Sequence, residues 1–193
     1  MRRRRRAPPR RAEGRSGGGG PSFRVVAVSR IRAARPEDVP TILQLIHDLA
    51  TYEHEPDAVR TTAEQLRDAL FGEAPSVFAH VADVDGDVVG FALWFRSFST
   101  WEGVHGIYLE DLYVRPDARG AGHGKALLRT LAQHATERGY ARVEWSVLTW
   151  NTPSIEFYRS LGARPQEEWS TFRLTGDALA AFGARGITAQ SGA

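Results

Sequence analysis

Two adjacent carboxylates, Glu110 and Asp111, precede a glycine-rich segment that leads into an amphipathic pattern ending near Leu131. The carboxylates lie in an apolar run typical of a β-strand, and the leucines after the glycines repeat at helical spacing. Glycines let a chain bend sharply between a strand and a helix, and the first N–H groups of a helix have no partner inside it. The pattern therefore predicts an anion site, for a phosphorylated ligand, beside two groups that can accept a proton.

The spacing of the glycines distinguishes between kinds of phosphate site. A dinucleotide fingerprint starting at Gly120 needs glycine where Lys125 stands, and a nucleoside-triphosphate loop needs a hydroxyl where Ala126 stands. The segment instead resembles the R/Q-x-x-G-x-G/A motif of the GNAT superfamily of acetyl-CoA-dependent N-acetyltransferases. An ordinary helix entry with a flexible loop is the other interpretation, and the strand and helix on either side favour the motif. Its residues are Arg119, Gly120, Ala121, Gly122, His123 and Gly124.

The resemblance extends over roughly residues 30–174 and narrows to the spermidine/spermine (diamine) N-acetyltransferase branch. The segments that carry it are Tyr108 to Asp111, Trp101, Trp150-Asn151, Phe157-Tyr158 and Leu161-Gly162-Ala163. It implies acetyl-CoA as the acetyl donor. It also implies the donor-binding positions, which are Leu112, Tyr113, Val114, Arg119, Gly120, Ala121, Gly122, His123, Gly124, Lys125, Asn151, Ser154 and Tyr158.

Acetylation of an amine requires a base, because an alkylamine with an unperturbed pKa of about 10.4 is protonated at neutral pH. The resemblance assigns this role to Glu110, acting directly or through water; the alternative is that Glu110 only caps a strand or pairs with an arginine. Adjacent strand residues point to opposite faces, so Glu110 and Asp111 can face one site only if a bulge intervenes. The resemblance implies such a bulge, with Glu110 as the first candidate and Asp111 as the second.

The departing thiolate must gain a proton, and Tyr158 is the candidate donor. Its phenol, with an ordinary pKa of about 10, matches a thiolate leaving group, and the resemblance implies the same role. Taken alone, Phe157 and Tyr158 on an amphipathic helix are typical of core packing. Asn151, directly before that helix, is a good N-cap and by resemblance also a donor contact.

The acceptor is expected to be a small amine. The resemblance implies substrate contacts from Tyr52, Glu53, Trp101, Glu110 and Asp111. Nearby acids that could extend an acidic groove are equally well interpreted as solvated surface side chains: Glu55, Asp57 and Glu102.

One departure from the polyamine-specific pattern bears on the choice of amine. Where polyamine-specific members carry an acid shortly before the tryptophan, this chain has Ser99-Thr100-Trp101, which resembles relatives that prefer thialysine-like amino acids. A polyamine or diamine, a thialysine-like amino acid and a protein or peptide amine all remain open.

Composition argues against several other kinds of site. The chain has 193 residues, 42% of them hydrophobic, which suits one globular domain. It has no cysteine for a disulfide, a thiolate nucleophile or a metal site, which fits a cytoplasmic location. Its six histidines form no H-E-x-x-H pair, so no metal is expected, and no G-x-S-x-G elbow is present. The longest apolar run, Val88 to Phe95, is far shorter than the ~20 residues of a membrane span.

Charge divides the chain into two parts. Residues 1–20 hold eight arginines and one glutamate, a balance of +7, so the rest carries −5 of the total of +2. An acidic domain steers cations, including amines, toward itself. Residues 1–29 are expected to be a disordered tail and residues 184–193 a flexible one. The arginine-rich tail could bind nucleic acid or an acidic membrane, but a solvated extension, or a start codon assigned too far upstream, is favoured. No apolar segment follows the arginines, which excludes a signal peptide.

Between these tails the pattern predicts one domain over residues 30–183 in the order β-α-α-β-β-β-α-β-α-β. The Asp85-Gly86 pair predicts a tight hairpin turn, and Thr61 or Thr62 a helix cap. This order places helices on both faces of a mixed, mostly antiparallel sheet, an α/β arrangement that is also the GNAT order. The predicted strands are 30–34, 77–84, 87–98, the run ending in the opening motif, 142–148 and 169–174; the predicted helices end near 52, 71, 138, 161 and 182.

Two classes of function follow. The first is an N-acetyltransferase acting on a small amine, and the second is a CoA-binding regulatory module. Retention of both Glu110 and Tyr158 favours the enzyme, because a binding module needs only the glycine turn. The resemblance also implies a homodimer.

Overall fold

The computed structural model describes residues 29–184, and the expectations for the two tails lie outside that range apart from their innermost residues. The chain divides into two compact units, Met1–Trp145 and Ser146–Ala193. The first unit contains β1 (Ser29–Ala33), α1 (Val39–Tyr52), α2 (Ala63–Phe71), β2 (Phe78–Val84), β3 (Asp87–Ser99), β4 (Val104–Val114), α3 (His123–Glu137) and β5 (Val143–Glu144). The second contains α4 (Thr152–Ser160) and α5 (Gly176–Ala184).

The five strands form one sheet in the order β1-β2-β3-β4-β5. The first three pairings are antiparallel, and β5 joins β4 in parallel. Asp85 and Gly86 connect β2 to β3 with φ angles of +52° and +92°. Positive φ at both central residues is the signature of a type I′ hairpin turn, so the predicted hairpin is confirmed.

Helices cover both faces of the sheet, as predicted. The α1–α2 face is the side on which α1 and α2 pack against Phe91 and Leu93 of β3. On the opposite side, the α3 face, the ring of Trp94 lies 4.8 Å from the ring of His134 of α3. Helix α3 buries Leu127, Leu128, Leu131 and Ala135. Side chains of neighbouring strand residues thus alternate between two apolar layers.

The predicted helix ends are largely confirmed. Helix α1 ends at Tyr52, and α2 begins after Thr62, whose hydroxyl accepts the N–H of Gln65 while the Gln65 side chain accepts the N–H of Thr62. This reciprocal capping satisfies two N–H groups that a helix start leaves without partners. Gly139 follows α3 with φ +68°.

A buried ion network ties β1 to α1 and to the hairpin. The guanidinium of Arg32 donates to both carboxylate oxygens of Asp38, at 2.6 and 2.9 Å, and to Asp83 at 2.8 Å. The hydrogen bond from Arg32 to Asp83, followed by one from the N–H of Gly86, lowers the pKa of Asp83 to about 2. Burial alone raises the pKa of Asp38, but hydrogen bonds from Arg32 and the N–H of Arg35 outweigh it and lower that pKa.

One strand is shorter than predicted, and one strand prediction was wrong. The strand predicted over 142–148 is only Val143–Glu144, and residues 169–174 form no strand. Alternating apolar residues favour a strand, but a strand exists only where its backbone groups find partners in a neighbouring strand. Among residues 29–184, the last strand along the chain to find such a partner is β5. Phe172, in the second segment, is 94% exposed.

Candidate functional site

The glycine turn between β4 and α3 has the backbone geometry of an anion cradle. Gly120 and Gly122 have φ angles of +83° and +88°, and α3 begins directly afterwards at His123. A Cβ placed on either glycine would meet nothing within 4 Å, so the turn is open on that side. Glycine is therefore required by the positive φ and leaves the backbone accessible to a bulky anion. The first N–H groups of α3 have no partner inside the helix and can donate to such an anion.

His123, within this turn, has a buried ring. It is 8% exposed, and its Nδ1 is hydrogen-bonded to the hydroxyl of Ser29 at 3.1 Å. This bond ties the start of α3 to β1. If His123 contacts acetyl-CoA, the contact would therefore come from its main-chain N–H.

A β-bulge lies at Glu110. Leu109 is opposite Trp94 and Asp111 is opposite Leu93, so Glu110 is an extra residue of β4 without a cross-strand partner. Cross-strand partners share a face of a sheet. Leu109 therefore lies on the α3 face with Trp94, and Asp111 lies on the α1–α2 face with Leu93. The bulge that would let Glu110 and Asp111 face the same side is present.

The carboxylates around the bulge influence one another. Burial, followed by the negative charges of Glu110 and Glu53, raises the pKa of Asp111 to about 6. Burial also raises the pKa of Glu53, which follows the last residue of α1. Glu110 is exposed, whereas Glu53 and Asp111 are half-buried. Three carboxylates thus share a region that favours a cation, because a positive charge would relieve their repulsion.

Arg119, the first residue of the motif, lies against two tyrosines. Its guanidinium carbon is 5.1 Å from the ring centre of Tyr52 and 5.4 Å from that of Tyr113. Its Nε donates to the carbonyl of Val114 at 2.9 Å. Arg119, which is predicted to bind acetyl-CoA, therefore contacts Tyr52, which is predicted to bind the amine. No periodicity or local motif signals this contact, because 67 positions of sequence separate the two residues.

The other predicted positions of the first unit are distributed as follows. Leu112 and Val114 are half-buried on β4, and Gly124 is half-buried in α3. Trp101, in the turn between β3 and β4, is 86% exposed. The other candidate positions in this unit are exposed: Glu55, Asp57, Glu102, Ala121 and Lys125.

In the second unit, Asn151 caps α4. Its side-chain oxygen accepts the N–H of Ser154 at 3.3 Å, and the residue is buried. The cap predicted from the sequence is confirmed. Tyr158 is half-buried on α4, with its ring centre 5.3 Å from that of Phe157.

Within residues 29–184, no group of three or more histidine, aspartate or glutamate side chains is placed to hold a metal ion. Over the same range, every helix is too short or too polar to cross a bilayer.

Comparison with known proteins identifies the family to which the chain belongs. The Acetyltransferase (GNAT) family matches residues 39–163. A thialysine N-epsilon-acetyltransferase from Bos taurus is 38% identical over 165 residues, which cover 80% of this chain and 96% of that protein. A spermidine/spermine N(1)-acetyltransferase-like protein from Homo sapiens is 34% identical over 160 residues, covering 78% of this chain and 23% of that protein.

The fold has solved counterparts. The structure of an integron cassette protein from V. cholerae superposes with a TM-score of 0.69 at 25% identity, covering 81% of this chain and 98% of that one. The fold is thus one that a solved structure also shows.

Proposed function

Because the chain belongs to the GNAT family of N-acetyltransferases, we propose that it transfers an acetyl group from acetyl-CoA to the primary amine of a small diamine, polyamine or thialysine-like amino acid. One observation carries the proposal. The bulge at Glu110 brings Asp111 onto the α1–α2 face, beside Glu53, on the strand that leads directly into the glycine turn. A cation-favouring region and an anion cradle are therefore built on consecutive segments of one chain.

The open turn fits the pyrophosphate of acetyl-CoA. The backbone N–H groups from Gly120 to Lys125 would hold the phosphates at the start of α3, and Arg119 adds positive charge there. In this proposal Leu112, Tyr113 and Val114 contribute main-chain polar groups along β4, and Asn151 and Ser154 contribute from the start of α4. When bound, acetyl-CoA supplies an activated thioester carbonyl.

Glu110 is the proposed base. The acceptor arrives as an ammonium ion, and a carboxylate that is exposed at a bulge can take its proton directly or through water. The freed lone pair of the amine then attacks the thioester carbonyl directly. Removing Glu110 would leave the amine protonated at neutral pH.

Tyr158 is the proposed acid. Transfer of the phenolic proton to the sulfur of the leaving group gives CoA as a neutral thiol. The nitrogen loses one proton to the base before the attack and a second proton after it; through solvent, one of the two restores the phenol of Tyr158 and the other is released. The support is the family membership together with the position of Tyr158 on α4, after the cap at Asn151.

Recognition of the amine is assigned to Glu53 and Asp111 as counter-charges, with Tyr52 and Trp101 as aromatic walls. Cations bind well over the faces of aromatic rings and near carboxylates. The Bos taurus relative is named for the ε-amine of thialysine, and the Homo sapiens relative for spermidine and spermine. Both kinds of acceptor present a primary amine on a flexible chain.

A thiol-release assay with acetyl-CoA tests this function. The amines to compare are thialysine, lysine, ornithine, putrescine, spermidine and a lysine-containing peptide. Turnover of one or more small amines, with the peptide inactive, is the expected result. Turnover of the peptide alone would move the substrate class to protein amines, and binding of acetyl-CoA without turnover of any amine would contradict the proposal.

We also propose that the enzyme is a cytoplasmic homodimer. The segment around α5 exposes an unusual number of large apolar side chains, which favour burial against a partner: Trp169, Phe172, Leu174, Leu179 and Phe182. Light scattering on the purified chain tests the assembly, with a Phe172→Asp variant expected to shift the mass from dimer to monomer. A monomeric wild-type chain would refute the dimer, and cell fractionation tests the location.

A further inference from the structure

The side chain of Arg119 contacts the end of α1 and the strand that carries the proposed amine region. Its guanidinium faces the ring of Tyr52 at the end of α1 and the ring of Tyr113 on β4, while its Nε is fixed by the carbonyl of Val114. The backbone of the same residue begins the glycine turn. Arg119 thus belongs to the turn by its main chain and to the end of α1 by its side chain.

We propose that Arg119 is a positioning residue for the amine acceptor: it holds Tyr52 and thereby fixes the adjacent Glu53 near Asp111. This inference rests on the proposed function and extends it, because it gives a residue of the donor motif a part in acceptor recognition.

The geometry of the contact requires arginine. A planar guanidinium can present its face to an aromatic ring while one edge nitrogen donates in the plane, here to Val114. A lysine ammonium can lie over one ring, but it has no planar face and no Nε donor, so it cannot reproduce the contacts with both rings and with Val114 together. Arg119→Lys therefore keeps the positive charge of the turn but loses this combination of contacts.

Arg119 contacts Tyr52 at the point where α1 ends. Tyr52 is the last residue of α1, and Glu53 is its C-cap, with its N–H bonded to the carbonyl of Leu49 at 2.9 Å. The segment that follows Glu53 lies outside any helix or strand until α2. The Tyr52 ring is therefore a fixed point beside Glu53 just before an irregular segment, and a loosened ring allows the Glu53 carboxylate to move away from Asp111.

Ionisation of Asp111 reports the position of Glu53 without any turnover. The charge of Glu53 is one of the causes of the raised pKa of Asp111, after burial and Glu110. The carboxyl carbon of Asp111, assigned by its loss in Asp111→Asn, is followed by 13C NMR as a function of pH in the free enzyme. Arg119→Lys is expected to lower the pKa of Asp111 toward its ordinary value, and Glu53→Gln to lower it at least as far.

Arg115→Lys is the matched control. Arg115 also follows β4 but bonds to Asp87, at 2.6 Å, and to Asp117 instead of to Tyr52. It is expected to leave the pKa of Asp111 unchanged. An Arg119→Lys variant that titrates like the Arg115→Lys control would overturn the inference.

A double-mutant cycle identifies the route. If Arg119 acts through Tyr52, then Tyr52→Leu combined with Arg119→Lys lowers the pKa of Asp111 no further than the larger single change. Additive changes in the pKa of Asp111 would show that Arg119 does not act through Tyr52. In the assay, Arg119→Lys is expected to raise the KM for the amine about fivefold, the size of a lost cation–π contact.

The two proposals fail separately. If no amine is turned over, the proposed function is contradicted, while the titration of Asp111 still decides whether Arg119 positions Glu53. If turnover is normal and the titration is unmoved, only the positioning role is lost.

Discussion

Glu110 and Asp111 are consecutive residues of β4, and a one-residue bulge at Glu110 moves Asp111 onto the α1–α2 face of the sheet, opposite Leu93. In a regular strand Asp111 would lie with Leu109, on the α3 face. The bulge places the Asp111 carboxylate on the α1–α2 face, where the charge of Glu53 influences it. Ionising that buried carboxylate near other acids costs stability.

The cost should be measurable as pH-dependent stability. The pKa of Asp111 is about 6 in the folded state, above its unfolded value, so the folded chain binds this proton more tightly. Stability from this group is present below about pH 4 and is lost as pH rises through about 6. Asp111→Asn should therefore stabilise the protein at pH 8, on the order of 2 kcal/mol, and change it little at pH 4. Urea unfolding at both pH values measures this, and equal effects at the two pH values would contradict it.

Glu110→Gln should lower kcat/KM for the amine by roughly 100-fold, the usual contribution of a general base. Steady-state kinetics at neutral pH measure the loss. Glu64→Gln, at the exposed start of α2, is the control and should be without effect. A Glu110→Gln enzyme as fast as the control would remove Glu110 from the mechanism.

Tyr158→Phe should lower kcat by roughly 100-fold with little change in acetyl-CoA affinity, because only the proton donor is lost and the ring is kept. Tyr140→Phe is the control, since Tyr140 packs against the rings of His105 and His134. Calorimetry gives the affinity and the thiol-release assay gives kcat. Unchanged turnover would exclude Tyr158 as the acid.

Gly122→Val should weaken acetyl-CoA binding at least about tenfold, since a branched side chain blocks the approach of a phosphate to the backbone. It also strains a residue whose φ is +88°. Gly139→Val carries a similar strain at φ +68° after α3, away from the turn, and should keep its affinity. Calorimetric titration with acetyl-CoA compares the two, and equal losses would show that strain, and not the cradle, is responsible.

Arg32→Met should destabilise the protein by about 3 kcal/mol at pH 7, because it leaves two buried carboxylates without their main partner. The pKa of Asp83 is about 2, below its unfolded value, so its stabilisation is complete above about pH 4 and is lost as pH falls through about 2. The difference in the free energy of unfolding between the variant and wild type should therefore shrink as pH falls from about 4 to about 2. Arg35→Met, which removes an exposed pair with Glu37, is the control and should cost much less. Guanidinium unfolding curves provide the measurement.

Much of the fold was predictable because its signals are local. The helix ends at Tyr52 and Thr62, the turn at Asp85 and the cap at Asn151 each depend on residues a few positions apart. The strand predicted over 169–174 failed for the complementary reason. Its alternation is local, but pairing with another strand is not, and the structure forms no ladder there.

The sequence by itself determined the glycine turn, the two carboxylates before it and the family, because all three depend on residue types at fixed short spacings. Only the tertiary structure decided how these parts are joined. The register of β4 against β3 placed the bulge at Glu110, and the packing of α1 brought Tyr52 to the guanidinium of Arg119. Both are contacts between segments distant along the chain, which form where buried surfaces fit, and no local spacing encodes them.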